Sequence, residues 1–189
     1  MPQLIGDYRY EVLSPEAFRP LFAQYRPVVF AGTSSFNPRD IYSEAEVRAL
    51  EALRANVAGA HRLQLGIFYR DQFVGWHFGH QLEPDRFYMT NTGILEAHRR
   101  RGVYTALLPV ILDQLAQKGF QIVFSRHTLT NNAVIIPKLK AGFVISGFEV
   151  DDRFGTLVQL SYYFNPLRRK LLDVRVGQRR PDDETRDLL

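Results

Sequence analysis

The sequence predicts an α/β fold built on a mixed, mostly antiparallel sheet with helices on both faces. Two observations carry that expectation. The hydrophobic pattern orders the elements as strand, two helices, three antiparallel strands, helix, strand, helix and hairpin. A helix also joins the strand at 87–95 to the strand at 120–125, which is the crossover that parallel neighbours need. At 189 residues, 46% of them hydrophobic, the chain suits one compact domain, at 1–165, with a helical and charged C-terminal tail at 166–189.

The elements follow in order. Residues 8–13 alternate and read as the first strand. Ser14 and Pro15 mark a helix start, as N-cap and first helical position, and Arg26-Pro27 ends that helix after residue 25. Residues 31–39, rich in Gly, Thr, Ser, Asn and Pro, form a loop. Ser43 and Glu46 make a capping box that opens a second helix. Val47, Leu50, Leu53 and Val57 give it an apolar stripe, and Gly59 closes it. Residues 61–69 and 72–82 form a hairpin turning at Arg70-Asp71, and 87–95 is the third strand of the run. Residues 103–118 form a helix with Tyr104, Leu107, Leu108, Ile111 and Leu115 facing the core. Pro109 inside it removes the bond to the Thr105 carbonyl and predicts a kink. Gly119 ends it, and 120–125 is a short strand buried on both faces. A short helix at 131–141 stops at Gly142-Phe143, and strands at 143–150 and 156–164 form a last hairpin. A further helix is expected at 167–176, and 177–189 reads as a mobile charged tail.

Composition excludes several classes. With no cysteine, the chain has no disulfide, no cysteine-based zinc site and no cysteine nucleophile. No apolar run is long enough to span a bilayer, and the N-terminus has no secretory pattern, so a cytoplasmic protein without membrane contact is expected. The net charge of +4 mildly favours anionic ligands but is too small to indicate nucleic acid. Neither a G-x-x-x-x-G-K-[ST] phosphate loop nor a G-x-S-x-G elbow occurs. His77 and His80 lie three apart on a strand and point to opposite faces, so they do not share a metal, and no metal site is expected.

One stretch organises the rest. An apolar strand ending in Thr92, Gly93 and Ile94 runs into a basic turn, Arg99-Arg100-Arg101-Gly102, and Val103 and Tyr104 begin a helix at once. The first N–H groups of a helix lack intrahelical partners and carry partial positive charge, and Gly102 lets a ligand approach the backbone, so the order builds an anion site. Further on, Asn131 precedes a helix that ends in Gly142-Phe143. These two motifs, in this order and on these elements, resemble those of the GNAT superfamily of acyl-CoA-dependent N-acyltransferases over residues 8–164. The family's pyrophosphate motif, R/Q-x-x-G-x-G/A, reads here Arg99-Arg100-Arg101-Gly102-Val103-Tyr104, with Tyr104 in place of the final small residue. The resemblance implies central parallel strands that splay apart, with acetyl-CoA as co-substrate in the gap. Its arm would pair with the backbone of Thr92, Gly93 and Ile94, its pyrophosphate would lie on Arg99, Arg100, Arg101, Gly102, Val103 and Tyr104, and Asn131 would touch the arm.

The implied reaction is direct transfer of an acetyl group to a primary amine. An amine attacks only as the free base, so a proton acceptor is needed, and the leaving thiolate needs a donor. The family often uses a Glu and a Tyr. Here the tyrosine position, four before Gly142, is Lys138, and a position that is Glu in some members is Arg126. The candidates that remain are His127 after the fifth strand, Glu96 at the end of the fourth, acting through water, and Tyr162 on the last strand. Each also has a plainer reading: a strand-end histidine, a partner for the arginines, a core tyrosine. Lys138 could donate a proton but reads more simply as a surface lysine on a helix, and Trp76, His77 and Phe78 either line the acceptor pocket or fill the core. The acceptor is a small-molecule or peptide amine, a homodimer through the last hairpin or the 167–176 helix is open, and a non-catalytic acyl-CoA sensor of the same fold is the competing reading.

Overall fold

The computed structural model describes residues 1–32 and 38–188 of the chain. Most of the loop expected at 31–39 lies outside the described residues. The first strand is preceded by a shorter one: β1 (Gln3–Ile5) pairs with β2 (Tyr8–Val12). Helix α1 (Pro15–Val29) starts as expected, with the Ser14 side chain accepting from the Ala17 amide. It does not stop at Arg26-Pro27. Pro27 removes one ladder bond, but the Phe30 amide still closes on the Arg26 carbonyl at 3.1 Å, and Phe22, Val29 and Phe30 pack around Trp76, so burial of the last turn outweighs the missing bond.

Helix α2 (Glu44–Ala55) has the full capping box between Ser43 and Glu46. It ends four residues before Gly59, and its expected apolar stripe is not buried: Leu53 and Val57 are 61% and 58% exposed. Strands β3 (Arg62–Tyr69), β4 (Gln72–Glu83) and β5 (Arg86–Ile94) form the antiparallel run, and Arg70 takes the left-handed conformation in the tight turn. Helix α3 (Val103–Gln117) is continuous through Pro109 and buries Leu107, Leu108, Ile111 and Leu115. Strand β6 (Ile122–Thr128) runs parallel to β5 and extends past Ser125 to include His127. Helix α4 (Asn132–Lys140) leads into the hairpin of β7 (Val144–Asp151) and β8 (Gly155–Tyr163). Helix α5 (Pro166–Arg175) and a single turn, α6 (Asp183–Arg186), follow.

The eight strands are ordered β1-β2-β3-β4-β5-β6-β8-β7. One face of the sheet packs Leu65, Ile67, Val74, Phe87 and Leu160 against α3. The other packs Phe73, Trp76 and Phe78 against α1. No helix among the described residues is long and apolar enough to cross a membrane.

Candidate active site

The central parallel pair is short. Only Arg86, Phe87 and Tyr88 of β5 register with Ile122, Val123 and Phe124 of β6. Beyond Tyr88, β5 stays with β4 and β6 stays with β8, so the two strands part and leave a wedge. The parting coincides with an irregularity in the β4–β5 ladder. Phe78 pairs with Asn91 but Gly79 pairs with Met89, which leaves Thr90 as an extra residue. A bulge bends its strand and increases its twist, and this one sits where the pairing with β6 ends.

Met89 and Ser125 are the first residues past the last β5–β6 pair. Lys138, reaching in from α4, joins them. Its Nζ donates to Ser125 Oγ at 2.5 Å, contacts Met89 Sδ at 3.2 Å and lies 4.7 Å from the centre of the Phe143 ring. The residue is 1% exposed, so it is not the surface lysine that its sequence neighbourhood suggested. No carboxylate forms an ion pair with it among the described residues, and burial pushes its pKa down to about 7.

The polar chain continues along β6. Ser125 Oγ lies 2.9 Å from His127 Nε2. Burial, with the Lys138 charge nearby, pushes the His127 imidazole down to about 3, so it is neutral at pH 7. His77 of β4 stands on the same side: its Nδ1 lies 2.9 Å from Thr92 Oγ1 and its Nε2 is buried without a partner among the described residues. Burial first, then Lys138, lowers its pKa to about 3 as well. His80 lies against Thr90 and Phe78 on the opposite face, as the strand period requires.

The basic turn is held in place by two of its own side chains. His98 Nδ1 lies 2.9 Å from the Tyr8 hydroxyl, and Arg99 donates to the carbonyls of Ile94, at 2.9 Å, and Val29, at 3.1 Å. Arg99 is therefore engaged with the main chain, and the exposed Arg100 and Arg101 are the charges beside the start of α3. Arg100 and Gly102 both adopt positive φ, at 58° and 76°, and no side chain caps α3. Val103 and Tyr104 turn their side chains into the core, which raises the pKa of the Tyr104 phenol by burial, so they offer only main-chain groups.

The other sequence candidates are scattered. Glu96 is exposed in a single 3-10 turn and forms no ion pair with an arginine among the described residues. Tyr162 registers with Val123 at the closed end of the wedge and is half-buried against the core, its ring 5.4 Å from Phe143 and 5.2 Å from Phe164. Arg126 faces away and pairs with Glu149 at 2.8 Å. Asn131 precedes α4 and makes no side-chain cap there. Trp76 and Phe78 fill the core against α1, with Trp76 Nε1 donating to Asn91 at 2.6 Å. Sequence reasoning set Lys138 aside as a surface residue, although its burial had one signal: Ile135, Lys138 and Ala141 recur every three residues, and the outer two pack on the core.

The acetyltransferase (GNAT) domain model matches residues 3–125 of this sequence. The chain belongs to the GNAT acetyltransferase family. Solved structures agree on the fold. A ribosomal-protein-alanine N-acetyltransferase from Brucella melitensis superposes with a TM-score of 0.60 at 17% identity, over 82% of this chain and 99% of that one. The protein yncA of Salmonella typhimurium, solved with its cofactor acetyl-CoA, gives 0.61 at 14% identity, over 85% and 95%. RimL, a ribosomal L7/L12 α-N-protein acetyltransferase in complex with coenzyme A, gives 0.63 at 13%, over 85% and 96%. No curated protein matches the sequence. The GNAT protein is thus an acyl-CoA-dependent N-acetyltransferase, with acetyl-CoA as co-substrate and an amine as acceptor.

Proposed function

We propose that the wedge between β5 and β6 is where this enzyme binds acetyl-CoA, and that transfer to the amine is direct. The observation that carries this is the parting of the two parallel strands at Tyr88, which frees the edge of β5 on the side that faces β6. The co-substrate supplies an activated thioester. Thr92, Gly93 and Ile94 offer backbone pairing to its amide-bearing arm. The uncapped start of α3 at Gly102, Val103 and Tyr104, flanked by Arg100 and Arg101, offers N–H groups and positive charge to its pyrophosphate. Arg99 shapes that turn, and Asn131 lies at the start of α4 on the other wall. His127, neutral and close to the base of the wedge, serves as proton acceptor.

The acceptor is a small-molecule or peptide amine. Residues 1–165 hold the catalytic machinery and 166–189 form an appended segment. The last hairpin, with Phe148 and Val150 exposed on the edge strand β7, is the surface for a homodimer. The test is binding followed by turnover. Saturating acetyl-CoA and CoA raise the melting temperature, because a ligand that binds only the native state stabilises it by mass action. A panel of primary amines then releases free thiol. No thermal shift with either compound overturns the binding site, and a shift without thiol release from any amine class overturns the catalytic assignment of His127.

A further inference from the structure

The wedge floor carries more than a single base. Three basic groups, Lys138 from α4, His127 from β6 and His77 from β4, converge there. The groups that face Lys138 from the packed elements are Met89 of β5, Ser125 and His127 of β6, His77 of β4 and the Phe143 ring. None is an acid. A buried lysine without a carboxylate is costly to the fold, and leucine or methionine would fill such a site better. The arrangement sets a lysine poised between its neutral and charged forms in hydrogen-bonded line with a neutral imidazole, which suits the movement of a proton during a reaction.

The hydrogen bonds add a direction. With Lys138 charged, Nζ donates to Ser125 Oγ, the Ser125 hydroxyl donates to His127 Nε2, and the imidazole carries its proton on Nδ1. With Lys138 neutral the chain reverses: Nε2–H donates to Ser125, Ser125 donates to the Nζ lone pair, and Nδ1 is a free acceptor. Nδ1 has no hydrogen bond among the described residues and is not sealed from solvent. The two states differ by one proton entering at Nδ1 and arriving at Nζ.

We propose that Lys138, Ser125 and His127 form a proton wire along the wedge floor, with His127 taking the proton of the attacking amine and Lys138 delivering one to the departing sulfur. This rests on the acetyl-CoA reading above. The acceptor first loses one proton to solvent and attacks as the free amine, forming the C–N bond. His127 Nδ1 then takes the second nitrogen proton, its Nε2 proton passes to Ser125, and the Ser125 proton passes to Lys138. The C–S bond breaks with its electron pair going to sulfur, and Lys138 protonates that thiolate. The balance closes on an N-acetyl amide and a free thiol. Lys138 and His127 touch reacting atoms, and Ser125 is the positioning residue between them.

The test combines a readout on the free protein with kinetics. In ¹⁵N NMR of the substrate-free protein, the His127 ring switches from Nε2–H to Nδ1–H as pH falls through about 7, where Lys138 gains its proton. Lys138→Met abolishes that switch, and so does Ser125→Ala, which breaks the link while leaving both ends. With acetyl-CoA and a responsive amine, Lys138→Met lowers kcat by about 10²-fold or more, the usual range for a lost acid or base, with the KM for acetyl-CoA unchanged. Ser125→Ala lowers kcat and removes the pH dependence that Lys138 imposes. A His127 tautomer indifferent to Lys138, or a kcat within about threefold of wild type in Lys138→Met, overturns the wire. Absence of acetyl-CoA binding by the wild-type protein instead overturns the underlying reading, so the two failures are told apart.

Discussion

The side-chain nitrogen of Lys138 lies 2.5 Å from the Ser125 hydroxyl, at the point where β5 and β6 part. That contact places a cation-forming group inside the fold with no acid paired to it among the described residues. The consequence for stability has a definite sign. The folded pKa of about 7 lies below the ordinary lysine value of 10.5, so the fold favours the neutral amine. The unfolded chain binds the extra proton between those values, and stability rises with pH across that window. The penalty is largest below pH 7 and is gone above about 10.5. Lys138→Met therefore stabilises the substrate-free enzyme at pH 7, by about 1–4 kcal/mol, and the gain shrinks as pH approaches 10.5. Urea unfolding of both proteins at a series of pH values reads this directly. A variant less stable than wild type at pH 7 removes the argument.

His77 sets the acid side of the same curve. Its folded pKa of about 3 lies below the ordinary histidine value of 6.5, and it is fully buried, with Nε2 unpartnered among the described residues. Stability from this group is complete above pH 6.5 and is lost as pH falls towards 3, at about 1.4 kcal/mol per pH unit for one proton. His127 behaves alike over the same range. His77→Gln has no proton to gain, so its stability falls less steeply between pH 6 and 4, by about one proton's worth of slope. Thermal or denaturant unfolding over that range checks it, and an unchanged slope shows that His77 is not held neutral by the fold.

The sequence made most of the architecture legible because each element carried its own signal. The capping box at Ser43 and Glu46, the turn at Arg70 and Asp71, and the crossover helix between β5 and β6 were all local patterns. What was not legible depended on partners far along the chain. Pro27 reads as a terminator, yet contacts with Trp76 carry α1 past it. Leu53 and Val57 read as a buried stripe, yet they are exposed. The site divides the same way. The glycine and arginines at the start of α3 stand out in one stretch, whereas Arg99 is taken up by two carbonyls, one of them 70 residues away in sequence. Lys138 is buried against Met89 and Ser125 of two other elements, and the spacing of Ile135, Lys138 and Ala141 gives its side of α4 but not those partners.

The arginines of the basic turn separate by function. Arg99 donates to Ile94 and Val29, so Arg99→Ala loses two hydrogen bonds that pin the turn to β5 and α1. A charged donor to a carbonyl contributes about 1.5–3 kcal/mol when well shielded and less at this exposed position. The expected result is a lower melting temperature with a modest loss of acetyl-CoA affinity that keeps its salt dependence. Arg101 makes no such contacts among the described residues and lies beside the uncapped start of α3. Arg101→Ala leaves the melting temperature unchanged and weakens acetyl-CoA binding several-fold at low salt, with a flatter response to added salt because the lost term is screened charge. Calorimetric titration at two ionic strengths distinguishes the pair, and identical behaviour of the two variants rules out this division.

Gly93 and Trp76 fix the surface against which the co-substrate arm would lie. They register across β4 and β5, and a Cβ added at Gly93 would sit 2.4 Å from Cζ2 of the Trp76 indole. The indole has nowhere to go. It is 0% exposed, its Nε1 is bonded to Asn91, and the rings of Phe22 and Phe30 lie 5.4 and 6.0 Å away. Gly93→Ala is therefore overpacked, at a cost of about 1–3 kcal/mol, and at this chain length the melting temperature falls by roughly 2–4 °C per kcal/mol. The strain also pushes β5 outward, so acetyl-CoA affinity falls with it. Trp76→Leu alone is destabilising through the lost ring, but it makes room for the new methyl group. The double variant is consequently more stable than the sum of the two single losses predicts, since contacting residues couple by about 0.5–3 kcal/mol. Strict additivity would mean that the two residues do not press on each other, and that the smallness of Gly93 serves only the ligand side of β5.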